Sequence, residues 1–393
     1  MVESLAESRT ADLASLSASC WDVVVIGAGP AGGIAALETA RRGRSVLLVD
    51  KSRFPRYKVC GGCLNGRALG VLQRVGQLEI VKRRGKAIHT FVLAVGNRVA
   101  RLPLPAGVSM SRQAFDSTLT DAAIREGAEF LDGCKAALGK QHRDGWVVTL
   151  SRGRDCVEVF ARMVLAADGL GHSLREARQQ DSTIHRTSPL GAGVMLQDGA
   201  GAYQQGEILM AVARGGYVGM VNVEDGRVNV AAAFRPEFVR RCGGLGRGAV
   251  SILQEAGVRV PEGLGDAKWR GTRHLTRRPH NQAAHRLLVL GDAAGYVEPF
   301  TGEGIAWALE SGREAAALAC RSIESFDSRV ERIWTRRHEE IVGHSQRRCA
   351  LIAAGLRRVS LMRLAVTLLA RAPRFATPII RRLNARSQGE ASQ

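Results

Sequence analysis

The sequence has few aromatic residues and no long hydrophobic segment. Aromatic residues make up 5% of the 393 residues, which argues against recognition of nucleic acid by base stacking, so we expect no nucleic-acid partner. No run reaches the about 18 apolar residues that a membrane-spanning helix needs; the closest, 359–370, is interrupted by Arg363. The first 20 residues include three acids and no apolar core, unlike a signal peptide. We therefore expect a cytoplasmic protein without a transmembrane span.

Clusters of metal ligands are also missing from the sequence. The eight cysteines are spread over the chain and never form two Cys-x2-Cys units, which would be typical of a structural zinc site. His274, His280 and His285 lie close together in the sequence, but no acidic residue is spaced to complete a metal site. We predict no metal and, without secretion, reduced thiols.

Positive charge is in excess, and it comes almost entirely from arginine. There are 49 arginines and 7 lysines, and the formal net charge is +19. Two interpretations remain open: an anionic partner such as a cofactor or a membrane, or an arginine bias of the whole composition. Residues 341–393 contain ten arginines and one acid, Glu390. Apolar residues recur there at helical spacing, which predicts a basic helix that contacts the inner membrane surface or packs on its own protein.

Glycine is abundant, and the first glycine cluster follows a buried strand. Residues 21–26 (WDVVVI) predict a parallel strand, and Gly27-x-Gly29-x-x-Gly32 follows directly. Gly27 allows the tight turn, Gly29 lets the backbone approach a pyrophosphate, and Gly32 lets helix and strand pack closely. The helix N-terminus then presents free N–H groups to the phosphates. Asp50 ends the next predicted strand and is placed to accept a hydrogen bond from a ribose hydroxyl.

The rest of the chain predicts an α/β fold with an inserted antiparallel sheet. The irregular stretch 51–67 is long enough to suggest a functional loop, and four short apolar runs within 187–234 predict one antiparallel sheet. The other predicted strands lie near 88–94, 98–103, 145–150, 155–160 and 163–166, and helices are predicted over 112–126, over 302–319 and after 320.

Two later motifs carry a resemblance to a known superfamily. LVLGDAAGYVEPFTGEGI, 288–305, resembles the second FAD fingerprint of the flavoprotein hydroxylases and geranylgeranyl reductases, and VLAADGLGHSLR, 164–175, resembles their middle Asp-Gly motif. With GAGPAG, 27–32, the three motifs stand in the order of that superfamily. The resemblance implies a doubly wound FAD-binding domain of the p-hydroxybenzoate hydroxylase type, an antiparallel-sheet substrate domain and a helical C-terminal region.

The implied domains follow from where these motifs stand. We predict a mobile leader, a discontinuous FAD-binding domain, a substrate domain that also takes part of 88–104, and a basic helical C-terminal region. Their bounds are 1–20 for the leader, 21–186 with 271–320 for the FAD-binding domain, 187–270 for the substrate domain and 321–393 for the C-terminal region.

The resemblance is closer to the geranylgeranyl reductase branch than to the aromatic hydroxylases. FPRYKVCGG, 54–62, resembles the reductases, and the hydroxylases usually carry Gln where Glu303 stands. The Trp-x-Trp-x-Ile-Pro element of flavin-dependent halogenases has no counterpart in this sequence. The reductases usually carry Tyr-x-Trp-x-Phe-Pro beside the substrate, and only the Tyr is matched here, by Tyr217. The sequence therefore departs from the reductases where the substrate is recognised.

The resemblance assigns cofactor-binding and catalytic residues. It places Asp292 at a ribityl hydroxyl and Arg112 at the pyrophosphate of FAD; a surface pair of Arg112 and Asp116, one helical turn apart, is the less favoured alternative. The helix that opens at Thr301 would stabilise reduced flavin with its N–H groups. The cofactor-binding residues are Gly27, Gly29, Pro30, Ala31, Gly32, Asp50, Lys51, Cys60, Gly61, Arg112, Asp168, Gly169, Gly291, Asp292, Pro299, Gly302, Gly304 and Ile305.

Three residues are candidates for catalysis. Tyr217 and Cys60 are candidate proton donors, and Cys60 with Cys63 forms either a redox dithiol or a pair of small packed residues. Glu303 is either an active-site carboxylate or a cap of the first helical turn. The resemblance leaves these alternatives open.

Taken together, the motifs predict an FAD-dependent oxidoreductase. Hydride would pass from FAD, reduced by NAD(P)H or another donor, to a C=C bond of an apolar prenyl, lipid or polyketide-like substrate. The alternative is an NAD(P)H- and O2-dependent monooxygenase that hydroxylates an aromatic or polyketide ring. A flavin-free binding protein and an electron-transfer flavoprotein fit less well, the second because no ferredoxin-like cysteine spacing is present.

Overall fold

The structure is a computed structural model that describes most of the chain. The described residues are 11–171, 182–184, 188–197, 205–279, 281–298, 300, 302–325, 327–356, 358–378 and 380.

The strands, in chain order, are β1 Cys20–Ile26, β2 Val46–Val49, β3 Cys63–Asn65, β4 Lys86–Ala87, β5 Thr90–Val95, β6 Arg98–Pro103, β7 Gly107–Ser109, β8 Glu129–Leu131, β9 Lys135–His142, β10 Gly145–Arg152, β11 Asp155–Ala166, β12 Ser182–Ile184, β13 Leu190–Leu196, β14 Glu207–Ala213, β15 Gly216–Asn222, β16 Val228–Phe234, β17 Arg270–His274, β18 Arg277–Pro279, β19 Ala283–Ala284 and β20 Leu287–Val289. The α-helices are α1 Pro30–Ala40, α2 Gly66–Arg74, α3 Leu78–Arg84, α4 Arg112–Arg125, α5 Pro236–Cys242, α6 Leu245–Glu255, α7 Gly304–Glu324, α8 Val330–His338, α9 His344–Leu356 and α10 Val359–Arg371.

A parallel sheet forms the centre of the N-terminal part. Its strands run in the order β20-β11-β1-β2-β8, and every neighbouring pair is parallel. Strands β1 and β2 are apolar over nearly their whole length, because both faces of this sheet are covered. Helices α1, α4 and α7 pack on one face, and the β9–β10–β11 meander covers the other. This confirms the strand–turn–helix–strand unit predicted from the sequence.

A second sheet contains the antiparallel strands predicted within 187–234. Its order is β17-β13-β16-β15-β14-β5-β6, and only β14 and β5 are parallel neighbours. Helix α6 covers one face of the sheet with apolar contacts. The opposite face carries small residues, among them Gly219, Ala231 and Ala233, and it points into the protein. The sheet continues past the predicted boundary at residue 270, because β17 pairs with β13.

The described C-terminal residues are helical, as the sequence predicted. Helix α10 lies across strands β5 and β6, and Val366 is fully buried between them. Arg98 donates from Nη1 to the Thr367 hydroxyl at 2.7 Å and to the Arg363 carbonyl at 3.3 Å. These contacts fix the helix to the edge of the second sheet. Among the described helices, none is both long and apolar enough to cross a bilayer.

Two expectations about the N-terminal part differ from the structure. Residues 11–19 do not form a free polar leader, because Leu13 and Leu16 are buried against the meander side of the parallel sheet; residues 1–10 lie outside the described part. The strands predicted at 155–160 and 163–166 form the single strand β11. Its first half pairs with β10 and its last residues pair with β20, so one strand joins two sheet regions.

Candidate active site

One large cavity connects the parallel sheet, the second sheet and the C-terminal helices. Its volume is about 1360 Å³, above the roughly 300–1,000 Å³ typical of a pocket for one small ligand. The cavity begins at the carboxyl ends of β1 and β2, the position at which open α/β sheets bind ligands. It continues past the loop 56–63 to the small-residue face of the second sheet. A cavity of this size has room for a cofactor and a substrate side by side.

The predicted glycine turn forms one end of the cavity. Gly27 has φ +104°, and a Cβ there would lie 2.4 Å from the Ala167 carbonyl oxygen. A Cβ at Gly32 would lie 1.8 Å from the Gly27 carbonyl oxygen, so helix α1 and the turn touch backbone to backbone. Gly29 precedes α1 and, with Pro30 and Ala31, lines the cavity, whereas Gly32 lies behind its wall. The free N–H groups of the α1 N-terminus therefore face the cavity.

Asp50 is held by the backbone of two loops. Its Oδ2 accepts a hydrogen bond from the Ala28 N–H at 2.9 Å, and its Oδ1 accepts one from the Ser52 N–H at 2.8 Å. The carboxylate thus fixes the glycine turn against the end of β2 while still lining the cavity, as Lys51 does. Asp50 lies at the edge of the same cavity end as Gly29.

A buried arginine, Arg112, and a half-buried one, Arg56, flank the glycine turn. Arg112 donates from Nε and Nη2 to both oxygens of Asp116 at 2.8 Å, and Nη1 of Arg56 lies 2.9 Å from Asp116 Oδ2. A Cβ at Gly29 would lie 3.5 Å from Arg112 Nη2 and 3.7 Å from Arg56 Nη2. Burial opposes ionisation of Asp116, but Arg112 and Arg56 outweigh it and lower the pKa of this carboxyl. The Arg112–Asp116 pair is therefore part of the cavity wall, and the alternative of a surface pair is wrong.

Lys58 adds a third cation to this end of the cavity. Its Nζ lies 3.0 Å from where a Cβ of Gly169 would stand. Burial first, and then the charge of Arg112, lower the pKa of the Lys58 ammonium group, while Asp292 raises it. Three buried or half-buried cations thus lie at this end of the cavity, and a bound anion would relieve their repulsion.

The loop 56–63 is pinned to the second sheet. Asn229 of β16 donates from Nδ2 to the Cys60 carbonyl at 2.8 Å, and Gly62 turns the chain with φ +69°. Cys60 and Gly61 line the cavity. Cys60 and Cys63 are both free thiols, and burial raises the pKa of the Cys63 thiol to about 12. A thiol that stays protonated favours the packed pair over the redox dithiol.

The two later motifs also reach the cavity. Gly169, Gly291 and Gly302 all have positive φ angles. Their backbone lines the cavity together with that of Asp168, Asp292, Gly304 and Ile305. The Ser311 hydroxyl of α7 accepts a hydrogen bond from the Gly291 N–H at 3.0 Å, which ties the second motif to α7. Pro299 and Thr301 lie outside the described residues.

Glu303 differs from both expectations. It is 1% exposed, does not line the cavity, and as the residue before α7 makes no side-chain capping hydrogen bond. Instead, the Cys349 thiol donates to Glu303 Oε2 at 2.9 Å, and Arg67 Nη1 lies 3.7 Å from Oε1. Arg67 also donates to Glu310. The buried guanidinium draws the carboxylate away from the cavity, so a direct catalytic part for Glu303 has no support from this geometry.

Tyr217 stands where the cavity is apolar. Its ring packs edge-on against Phe300, with centroids 5.2 Å apart, and its hydroxyl is hydrogen-bonded to Glu298. Burial first, and then the negative charge of Glu298, raise the pKa of the Tyr217 phenol well above its ordinary value. Met210 and Gly219 lie beside Tyr217 on the cavity floor. This end can hold an apolar molecule and give it a hydroxyl proton.

Several cavity residues were missed by sequence reasoning. Arg56 and Lys58 lie in the irregular stretch that suggested a functional loop, so their charge was a usable signal. Asn229, which holds the loop 56–63, and the roof residues of α9 and α10 carry no local signal, because their contacts depend on tertiary packing. The roof residues are Ile352, Gly355, Leu361, Met362, Ala365 and Leu369. Among the described residues, no group of three or more His, Cys, Asp and Glu side chains could hold a metal ion.

Comparison with known proteins places these features in a family. Residues 21–319 match the FAD binding domain family. The menaquinone reductase of Mycobacterium tuberculosis is 30% identical over 352 residues, covering 80% of this chain and 78% of that protein. Digeranylgeranylglycerophospholipid reductase 3 of Methanosphaera stadtmanae is 28% identical over 338 residues, covering 79% of this chain and 80% of the relative.

Solved structures agree on the fold. A geranylgeranyl bacteriochlorophyll reductase-like protein of Thermoplasma acidophilum superposes with a TM-score of 0.71 at 20% identity, covering 86% of this chain and 88% of that one. Flavin-dependent halogenases and a monooxygenase share the same fold. At such identities the likeness concerns the fold alone, so the reaction must be argued from the cavity.

Proposed function

This chain belongs to the FAD binding domain family of flavin-dependent oxidoreductases, on its geranylgeranyl reductase-like branch, and on that basis we propose that it reduces a C=C bond of an apolar isoprenoid or lipid substrate. The expected partners are therefore FAD, an electron donor such as NAD(P)H, and an apolar small molecule. A substrate of this kind resides in a membrane, so contact of the basic C-terminal region with a membrane surface is part of the proposal. Location at the inner membrane surface stays a prediction.

The residues at the glycine-turn end fit an FAD dinucleotide. The backbone at Gly29 is open to the cavity. Arg56 and Arg112 lie beside it and Lys58 lies beside Gly169, and Asp50, Asp116 and Asp292 offset part of their positive charge. A pyrophosphate at the α1 N-terminus would meet the N–H groups, the helix dipole and these cations together. We assign Asp50 to the ribose and Asp292 to the ribityl chain. Gly302 and Gly304 leave the start of α7 open to the flavin ring.

One observation carries the choice of an apolar substrate. The same cavity continues from the nucleotide end into a chamber floored by Met210, Gly219, Ala231 and Ala233. Its roof is the apolar side of α10. Small floor residues leave volume for a branched hydrocarbon chain, and burial of that chain provides the binding energy. Polar groups that would recognise a hydroxylated aromatic ring are few in this chamber.

Reduction of a double bond needs a hydride on one carbon and a proton on the other. Bound FAD, once reduced, supplies the hydride. We assign the proton to Tyr217, which lines the chamber, and we assign to Glu298 the task of orienting its hydroxyl. The raised pKa keeps the phenol protonated, so the proton is present when it is needed. Cys60, on the loop between the two cavity ends, is the second candidate donor.

The test is the identity of the product. Purified protein with its yellow FAD absorbance is reduced anaerobically with dithionite and mixed with menaquinone or with a geranylgeranyl-chain phospholipid in detergent. We expect mass spectrometry to find products that have gained H2 at one or more double bonds, without oxygen. A product that has gained an oxygen atom, formed only in air with NAD(P)H, would contradict the reductase proposal and establish the monooxygenase.

A further inference from the structure

We propose that the exposed leucine face of α10 docks on an anionic membrane surface and that the cavity takes up its substrate there, directly from the lipid. This inference deepens the proposed function and rests on it for the nature of the substrate. The leucine face consists of Leu361, Leu364 and Leu368, which are 54%, 57% and 57% exposed. Their spacing of three and four residues puts them on one side of the helix. Exposed large apolar side chains are rarely grouped in this way on a soluble surface.

The leucine face and the cavity roof are neighbouring sectors of the same helix. Successive residues of an α-helix are turned by about 100°, so Ala365 and Leu369 follow Leu361 around the helix and line the cavity. Leu361 belongs to both sectors, because it is half exposed and also lines the cavity. An apolar chain leaving the lipid at Leu361 would therefore pass onto the roof without crossing a polar surface.

Helix α9 repeats this arrangement beside α10. Leu351 is 74% exposed, the highest value among the exposed large apolar residues. The next residue, Ile352, and Gly355 one turn later line the cavity. Both helices thus expose leucines beside residues that line the cavity, and we infer that these leucines border one edge of it. This edge is the entrance that an apolar substrate would use.

The charge around the leucine face selects the partner. Arg358, Arg363, Arg371 and Arg374 are exposed, and residues 341–380 contain no acid. Arginine beside inserted leucine is typical of helices that lie on anionic lipid. A second copy of this chain would bring the same positive charge against this face, so self-association is disfavoured. An anionic membrane fits both the leucines and the arginines.

The docking face is also held in place. Val366, on the opposite side of α10, is fully buried, and Arg98 binds the helix backbone and Thr367. One side of the helix is therefore buried against the sheet. Rotating the helix to bury its leucines would break these contacts. The face is rigid enough to define the orientation of the cavity entrance at the membrane.

The experiment compares vesicle binding of three proteins. Wild type, the Leu364→Gln/Leu368→Gln double variant and the control Ile333→Gln are sedimented with vesicles of phosphatidylcholine, with or without phosphatidylglycerol. Leu364 and Leu368 do not line the cavity, and Ile333 is 42% exposed on α8. We expect wild type and control to bind the phosphatidylglycerol vesicles preferentially, and the double variant to bind them about tenfold more weakly.

The same proteins are assayed with menaquinone in vesicles and with a short-chain quinone analogue in solution. The double variant should lose activity toward the vesicle substrate and keep it toward the analogue. Equal vesicle binding by wild type and double variant would overturn the docking proposal, as would a wild-type dimer that the double variant converts to a monomer. If no protein saturates a side-chain double bond of either substrate, the proposed function fails, and the sedimentation result still decides the docking.

Discussion

Tyr217 and Glu298 are the pair on which the proposed proton transfer depends. The Tyr217 hydroxyl is hydrogen-bonded to Glu298, and Tyr217 lines the chamber. Glu303, the carboxylate that the sequence suggested, contacts Arg67 and Cys349 instead. The two carboxylates differ in their partners: Glu303 lies beside the buried Arg67, and Glu298 is hydrogen-bonded to Tyr217. A motif fixes the position of a residue along the chain but does not fix the direction of its side chain.

The first prediction concerns the Tyr217 hydroxyl. Tyr217→Phe keeps the ring and its contact with Phe300, but it removes the proton, so we expect the rate of substrate reduction to fall about 10²- to 10⁴-fold. FAD content and substrate affinity should stay near wild type. Stopped-flow measurement of flavin reoxidation by substrate, under anaerobic conditions, checks the rate.

The pH profile provides the control for this prediction. Because burial and Glu298 raise the pKa of Tyr217 above its ordinary value near 10.0, the phenol stays protonated through neutral pH. The wild-type rate of substrate reduction should therefore not fall through ionisation of Tyr217 at any pH below the ordinary pKa of tyrosine, 10.0. If Tyr217→Phe retains the full rate while Cys60→Ser loses it, the proton comes from Cys60 instead.

At the scale of elements, the buried cluster around Arg67 joins three helices. Arg67 of α2 binds Glu310 of α7, donates to the Ser345 hydroxyl of α9 at 2.6 Å, and lies beside Glu303 at the start of α7. Burial lowers the pKa of the Arg67 guanidinium, but Glu310 outweighs it and the pKa is raised. The cluster therefore connects the C-terminal helices to the start of α7, the segment that we assign to the flavin.

The second prediction tests that cluster. Arg67→Ala leaves two buried carboxylates without their cation, and we expect the free energy of unfolding to fall by about 3–5 kcal/mol. Arg101→Ala is the matched control, because Arg101 pairs with Glu207 while 55% exposed, and loss of a surface pair should cost about 0–1 kcal/mol. Urea denaturation measures both. Equal decreases in the free energy of unfolding of the two variants would show that the Arg67 cluster stabilises the protein no more than a surface ion pair does.

The third prediction concerns the contact between helices α1 and α7. A Cβ at Gly312 would lie 2.2 Å from the Ala31 carbonyl oxygen, so Gly312→Ala must push the helices apart, and we expect it to destabilise the protein by about 1–3 kcal/mol.

The control for the α1–α7 contact is a glycine in an open part of a helix. A Cβ at Gly355 of α9 meets no atom within 4 Å, so Gly355→Ala should raise stability slightly through the loss of glycine flexibility. Thermal unfolding of both variants distinguishes packing from helix propensity. If both alanine variants were more stable than wild type, the short distance between Gly312 and Ala31 would not limit the packing of α1 on α7, and the prediction would be wrong.

At the scale of the whole molecule, three separate regions enclose one cavity. The parallel sheet and its loops form the nucleotide end, the second sheet forms the floor, and α9 with α10 forms the roof. The regions meet because β5 and β6, from early in the chain, join the second sheet and also support α10. The single cavity therefore has room for a cofactor and a substrate side by side.

The fourth prediction fills that space. Gly219→Leu adds a side chain to the chamber floor, where a Cβ would already lie 3.3 Å from Met210 Cε. We expect KM for a long isoprenoid substrate to rise about tenfold or more, because the buried chain loses contact area, while FAD absorbance is unchanged. Steady-state kinetics with long and short substrates measures the effect, which should be smaller for the short one.

Gly139→Leu is the matched control for the floor substitution. Gly139 is an exposed residue of strand β9, where a Cβ would lie 3.3 Å from the Val147 carbonyl oxygen, outside the cavity. The same substitution there should leave KM near wild type. A similar change of KM in both variants would show that the chamber floor does not bind the substrate.

The sequence by itself determined the features that depend on local backbone chemistry. Gly27 and Gly291 need positive φ angles, and the apolar runs of β1 and β2 are buried on both faces, so the strand–glycine–helix units were visible in the chain. The order of the three motifs also indicated FAD and the family. The short strands of the second sheet were predicted because turn residues separate them.

Only the tertiary structure decided which side chains meet. Arg67 and Glu310 stand 243 residues apart, and Asn229 holds a loop 169 residues before it. Such contacts leave no periodic signal in the sequence, because they depend on how whole elements pack. Packing also turned Glu303 away from the cavity, brought Lys58 into it, and placed α10 with one side on the substrate chamber and the next side exposed.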